Sequence, residues 1–214
     1  MTRSRTYLGV LLVLFWLSTS AFTTVSQTNP EKRVVFQVSH GDHCVAKVKP
    51  IEVGKKSSDI ASLTCYDTVK QAAEAATGGT LHLSDNATSQ DFDNALRVTP
   101  NTSNILIVFY ENSNYGGKDL TILTSGSQCI YGVSYGWTSM PVYQYSGPFG
   151  TTYNFNWNDK VSSFRPYYNC ELVELFSDNN YTGARQCFQG DTSYVGDVMN
   201  DRTSSWGSHY TWSC

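Results

Sequence analysis

Charge is scarce in this sequence. Asp, Glu, Lys and Arg make up 15% of the 214 residues, against about 25% in an average soluble domain. The 18 acidic and 15 basic side chains leave a formal net charge of −3, which argues against a nucleic-acid partner, since phosphate binding needs a basic face. After the N-terminus no apolar run is long enough for a membrane helix. No Cys-x-x-Cys occurs, which disfavours a zinc site on thiolates. Three further features are missing: a nucleophile beside a base and an orienting group, a recognisable pair of catalytic acids, and a glycine-rich cofactor loop. Together these absences point away from an enzyme.

Aromatic residues are abundant, and Gly, Ser, Thr and Asn are frequent, a composition that suits a β-rich secreted domain. Residues 1–21 open with Arg3 and Arg5, continue with an apolar core from Tyr7 to Leu17, and end in Ser18-Thr19-Ser20-Ala21. This is the pattern of a secretory signal peptide, so the mature protein is expected to be extracellular and free of the membrane. All six cysteines lie beyond that segment, and an even count in an exported chain reads first as disulfides. Cys44 and Cys65 fall in the first part and can pair there. Cys129, Cys170, Cys187 and Cys214 allow three connectivities, which remain open at this level.

The first part, 34–100, reads as a small α+β module or pro-segment. Residues 34–38, 44–48 and 80–83 suggest strands, and 65–76 a helix stopped by Gly78-Gly79. The polar stretch 84–104 reads as a linker. His40-Gly41-Asp42-His43-Cys44 is the one cluster here that resembles a metal or nucleophile site. Without a third positioned group it reads as a turn beside a disulfide cysteine.

The second part, 105–214, contains an internal repeat. Tyr110-Glu111-Asn112-Ser113-Asn114-Tyr115-Gly116-Gly117 and Phe176-Ser177-Asp178-Asn179-Asn180-Tyr181-Thr182-Gly183 share aromatic, four residues, Tyr, one residue, Gly. Each follows an apolar, strand-like run. Downstream lie Asn158-Asp159-Lys160-Val161-Ser162-Ser163 and Asn200-Asp201-Arg202-Thr203-Ser204-Ser205. Asn, Asp and Ser are ordinary turn residues, and one such stretch would mean little. Two stretches in the same order behind the same hairpin signature make a repeat. They also concentrate hard oxygen donors of the kind calcium accepts. From residue 105 onward five basic residues face nine acidic ones, a balance that favours a cation.

These paired motifs resemble the βγ-crystallins, in particular their calcium-binding microbial members, over about half of the chain. The resemblance implies a mainly β sandwich of two Greek keys, with Gly117 and Gly183 at positive φ and Tyr115 and Tyr181 covering folded hairpins. It also implies two calcium sites formed by exchange between the motifs. Ser162 and Ser204 would give hydroxyl ligands. Asp159 and Asp201 would each reach the ion held chiefly by the other motif. Carbonyls would come from Lys160, Arg202, Glu111 and Ser177, and Ser163 and Ser205 would brace the loops.

One departure stands out. Tyr110 and Asn158 are 48 positions apart, but Phe176 and Asn200 only 24. The surplus falls mostly within residues 125–156, rich in Tyr and Gly. It reads as tyrosines packed on the sandwich, with a long loop, an extra hairpin, or a surface for a protein or glycan partner as alternatives. A secreted proteinase inhibitor of the same fold would have to use this segment as its loop. Three Asn-x-Ser/Thr sequons, at Asn86, Asn101 and Asn180, complete the reading.

Overall fold

The computed structural model describes residues 24–25, 35–38, 41–99, 104–146 and 152–210. The signal-like segment, His40, Asn101 and Cys214 lie outside these. In chain order the strands are β1 (Thr24–Val25), β2 (Val35–Val38), β3 (His43–Val48) and β4 (Ile60–Tyr66), followed by helices α1 (Val69–Ala76) and α2 (Ser89–Val98). Then come β5 (Ile105–Asn112), β6 (Gly116–Thr124), β7 (Ser134–Trp137), β8 (Val142–Ser146), β9 (Thr152–Asn156) and β10 (Ser163–Pro166). The chain closes with β11 (Leu172–Asp178), β12 (Thr182–Gln189) and β13 (Ser205–His209). The protein is mainly β, with a small α+β part preceding the repeats.

The two repeats interlock by trading strands. In the first, β5 pairs antiparallel with β6 and β10; in the second, β11 pairs with β12 and β13. The strand that follows β6, β7, does not join its own repeat. It pairs with β13, Trp206 opposite Trp137. The second repeat returns the exchange through a bridge from Thr192 to Phe164 in β10. Neither key is complete alone. Between the two sheets lies one core, where Phe109, Phe164 and Trp206 meet edge to face at 5.2–6.0 Å. Such contacts favour aromatics over aliphatics beyond their burial.

The 125–156 surplus resolves into two things. Residues 134–137 supply the traded strand, and β8–β9 form a separate two-stranded hairpin. Tyr135 and Trp137 are buried and Tyr143 stacks on Phe155 at 6.1 Å, whereas Tyr131 is exposed. The segment is thus an extra hairpin with part of its aromatic set packed on the sandwich.

The preceding α+β part is built onto the repeats. Strand β3 lies parallel to β6 over six residue pairs, from His43 opposite Asp119 to Val48 opposite Thr124. One seven-stranded sheet therefore runs β1-β2-β4-β3-β6-β5-β10. The loop after β3 crosses to the other sheet: the amides of Ile51 and Ser58 donate to the carbonyls of Ser134 and Gly136 on β7. The part thereby covers an edge of each sheet, which an isolated sandwich would leave open to pairing. Cys44 and Cys65 stand opposite each other on β3 and β4 and are bridged. Cys129–Cys170 ties the loop after β6 to the turn before β11, and Cys187 is also disulfide-bonded.

Three sequence expectations change. Residues 80–83 form no strand, Cys65 and Tyr66 end β4 so that the helix expected over 65–76 begins only at Val69, and the supposed linker contains α2. Thr88 caps this helix, accepting from the Asp91 amide while the Asp91 carboxylate accepts from the Thr88 amide. That is a capping box with Asp at the third position, and its Phe92 and Leu96 pack with α1 against the sheet.

A buried ionic cluster fastens α2 to both repeats. Asp93, 1% exposed, accepts a 2.9 Å hydrogen bond from Tyr167, and Arg165 Nε on β10 lies 2.6 Å from its Oδ1. The Arg165 Nε–H is not aimed at that oxygen, so the contact is close without being a hydrogen bond. Arg165 and Arg97 both pair with Asp191 of the second repeat, and Arg165 lies 3.5 Å over the Tyr115 ring. Burial pushes the Asp93 carboxyl up to about 6 from 3.8, outweighing Tyr167 and Arg97, which act to lower it. Between those values the folded state keeps a proton that the unfolded chain has released. Stability from this group is therefore full below about pH 4 and is lost as pH rises through about 6. The change is on the order of 2–3 kcal/mol. Urea unfolding of wild type and Asp93→Asn across this range should show a flatter pH dependence in the variant; equal slopes would refute the assignment.

Candidate functional site

Both hairpins fold as their motif suggests. Asn114 and Tyr115 take φ 57° and 62°, Asn180 and Tyr181 take 62° and 60°, and Gly117 and Gly183 take 79° and 78°. At Gly183 a Cβ would lie 2.3 Å from Ser177 Oγ, so both conformation and space demand glycine. The hairpin tyrosine packs edge-on against the motif's first aromatic: Tyr115 on Tyr110 at 5.7 Å, Tyr181 on Phe176 at 5.5 Å.

The second serine of each Asn-Asp motif braces its hairpin. Ser163 Oγ donates to the Asn112 carbonyl at 2.6 Å and accepts from the Tyr115 amide at 3.0 Å. Ser205 does the same with the Asp178 carbonyl and Tyr181 amide, at 2.6 and 3.1 Å. Both serines are fully buried. Removing either hydroxyl takes the partner from a part-buried carbonyl and a part-buried amide, a loss of about 1–3 kcal/mol in all. Ser205→Ala is therefore expected to lower stability by about that amount in urea unfolding done with a chelator present. A loss seen only when a divalent cation is supplied would contradict the bracing role.

The first serines and the aspartates cross over. Ser162 Oγ donates to Asp201 Oδ1 at 3.4 Å, and Ser204 Oγ donates to Asp159 Oδ1 at 3.2 Å. Backbone bonds repeat the crossing: the Asp159 amide donates to Thr203 O at 3.0 Å and the Asp201 amide to Val161 O at 3.3 Å. Each Asp sits in the left-handed region, φ 56° and 52°, which Asp tolerates better than most residues. Asn158 and Asn200 each donate to the other oxygen of the following Asp, at 2.7 and 2.9 Å. The Ser162 amide donates to Tyr110 O and the Ser204 amide to Phe176 O, which sets each motif beside its own hairpin.

Around one crossing lies a cleft of about 730 Å³ lined by Glu111, Asn112, Ser113, Asp159, Lys160, Ser162, Tyr194, Asn200 and Asp201. Five sequence-chosen residues, Glu111, Asp159, Lys160, Ser162 and Asp201, thus share one surface. Ser177, Arg202 and Ser204, at the matching positions of the second repeat, do not line it. Sulfur and imidazole are absent from the lining, and the side-chain donors are carboxylate, amide and hydroxyl oxygens. Such a donor set suits a hard cation of the calcium class rather than zinc or copper. Among the described residues no three His, Cys, Asp or Glu side chains cluster as a metal centre. Any ion here would rest on hydroxyl and carbonyl oxygens with few carboxylates.

One arrangement was not visible in the sequence. His43 Nδ1 lies 2.5 Å from Asp119, a fully buried carboxylate 76 positions away, and Ser89 Oγ donates to the same Asp119 oxygen at 2.9 Å. Ser89 also approaches the Gly117 carbonyl at 3.2 Å. The serine thus bonds the acid and not the imidazole, which is not the order of a nucleophile relay. An Asp leading directly into the Leu-Thr-Ile-Leu run of β6 was the available signal.

No family model matches the chain, and no curated protein matches it. Over about half its length it is similar to βγ-crystallin domains of solved structure. A domain from Clostridium beijerinckii is 23% identical, covering 50% of this chain and 99% of that one, with a TM-score of 0.33. A domain from Flavobacterium johnsoniae is 20% identical over 51% and 99%, TM-score 0.30. A βγ-crystallin from an archaeon is 19% identical over 50% and 99%, TM-score 0.31.

Proposed function

We propose that this chain is a secreted, non-enzymatic, calcium-binding protein of βγ-crystallin type whose two ions stabilise the paired Greek keys. The observation that carries this reading is the reciprocal crossing of Asp159 onto Ser204 and of Asp201 onto Ser162. One site would use Ser162, Asp201 and the carbonyls of Glu111 and Lys160. Its counterpart would use Ser204, Asp159 and the carbonyls of Ser177 and Arg202. Export is supported by the signal-like residues 1–21 and by the disulfides, which suit an oxidising compartment. The non-enzymatic reading rests on the sequence, which shows no nucleophile beside a base and an orienting group.

With few carboxylates per ion, affinity should fall on the order of 10⁻⁴ to 10⁻³ M, the range of extracellular modules. At a hundredfold excess over Kd, each site would stabilise the fold by about 2.7 kcal/mol. Calorimetric titration of the metal-stripped protein, with melts in parallel, should give two calcium sites and a raised Tm. Asp201→Ala and Ser204→Ala should weaken binding without unfolding the domain in chelator. Magnesium should compete poorly, because it demands a tight octahedron. An absence of calcium heat with an unmoved Tm would overturn the proposal.

A further inference from the structure

The two crossings are alike in backbone but not in charge. After the hairpin aromatic the first repeat carries Glu111 and the second Ser177. The Ser177 hydroxyl is spent inside its own hairpin, accepting from the Ala184 amide at 2.9 Å. The Glu111 carboxylate instead lines the cleft with Asp201, and its Oε1 lies 3.6 Å from Lys160 Nζ. Lys160 holds the motif position that Arg202 holds in the second repeat, and among the described residues Arg202 makes no ion pair. The first repeat thus carries its acid directly after the hairpin aromatic with an ammonium beside it, whereas the second carries its acid one position later, at Asp178.

We infer that the Lys160–Glu111 pair is an internal competitor for the cation at the first site. This rests on the calcium reading above. In the resting protein the ammonium neutralises Glu111. A divalent ion entering beside Ser162 and Asp201 displaces it and gains Glu111 as a further negative neighbour. The displacement is easy: the Lys160 side chain is 44% exposed and Glu111 28%, so the released ammonium returns directly to water. An exposed pair of this kind holds its partners only weakly, whereas a doubly charged ion beside the carboxylates of the cleft interacts more strongly than a single ammonium does. A divalent cation therefore wins and a monovalent one does not. The variable position of the motif, whose carbonyl the resemblance assigns to the ion, becomes through its side chain a control on affinity and valence selectivity.

The test is a calcium titration in a Ser204→Ala background, which weakens the second site and isolates the first. Lys160→Gln keeps the carbonyl and removes the charge; it should tighten the first site about two- to fivefold, the strength of an exposed ion pair. Glu111→Gln should weaken that site. In Glu111→Gln the further change Lys160→Gln should have a smaller effect than in the parent, because the two residues act as a pair. Far-ultraviolet circular dichroism and melts in chelator confirm that each variant is folded. An unchanged or weakened affinity in Lys160→Gln, or fully additive effects, would overturn the inference while leaving the calcium reading in place. A wild-type protein that gives no calcium heat would overturn both.

Discussion

Each repeat is finished by the other. The strand β7 leaves the first key to pair with β13, Thr192 leaves the second to bridge Phe164, and the two Asn-Asp loops donate their backbone amides across the same boundary. A loop that must present its amide to the opposite repeat is held by that repeat, so the positive φ of Asp159 and Asp201 is enforced from outside the loop. The oxygen donors of the cleft therefore come from two repeats that are already fixed relative to each other. That is preorganisation, and it would lower the ordering cost of the proposed ion binding.

The same interlock explains how the α+β part attaches. A two-sheet sandwich leaves edges, and here β3 covers the β6 edge while the loop after it bonds the β7 edge. Helix α2 then closes the face of the larger sheet and reaches the hairpin of the first repeat, where Ser89 meets Gly117 and Gln90 donates to the Asn114 carbonyl at 3.1 Å. The second hairpin contacts the same part differently, through Tyr181 donating to the Lys56 carbonyl at 2.5 Å. The pseudo-symmetric repeats thus sit in unlike surroundings. A charge cluster follows from this: buried Asp93 and Arg165, from α2 and the first repeat, meet the more exposed Arg97 and Asp191, from α2 and the second repeat, and the two arginines balance the two carboxylates. Buried charges are tolerated only when paired in this way.

Much of the repeat region was legible because its signals are local. Glycine at positive φ and an aromatic and a tyrosine placed to meet in a folded hairpin act within one motif, so the signature shows in the spacing; the serine bracing joins two motifs 24–51 positions apart and followed from the resemblance. The α2 capping box is equally local, yet Thr88-x-x-Asp91 sits in a polar run whose only apolar anchors are Phe92 and Leu96. Such a stretch resembles a linker until the sheet it packs on is known. Residues 80–83 show the converse, a strand-like pattern with no neighbour to pair with. The tyrosine-rich surplus hid a necessary strand inside what looked like an insertion, because the partner of β7 lies in the other repeat.

The sequence by itself determined the repeat, the two hairpins and the oxygen-rich character of the motifs, since each depends on residues close together along the chain. Only the tertiary structure decided that β3 extends the first key's sheet, that His43 and Ser89 meet Asp119, that Cys129 bridges Cys170, and that Lys160 faces Glu111 in one cleft with no equivalent in the other. These are contacts between residues tens of positions apart. Their geometry is set by strand register and by which edge is left to cover, and neither is written in local spacing.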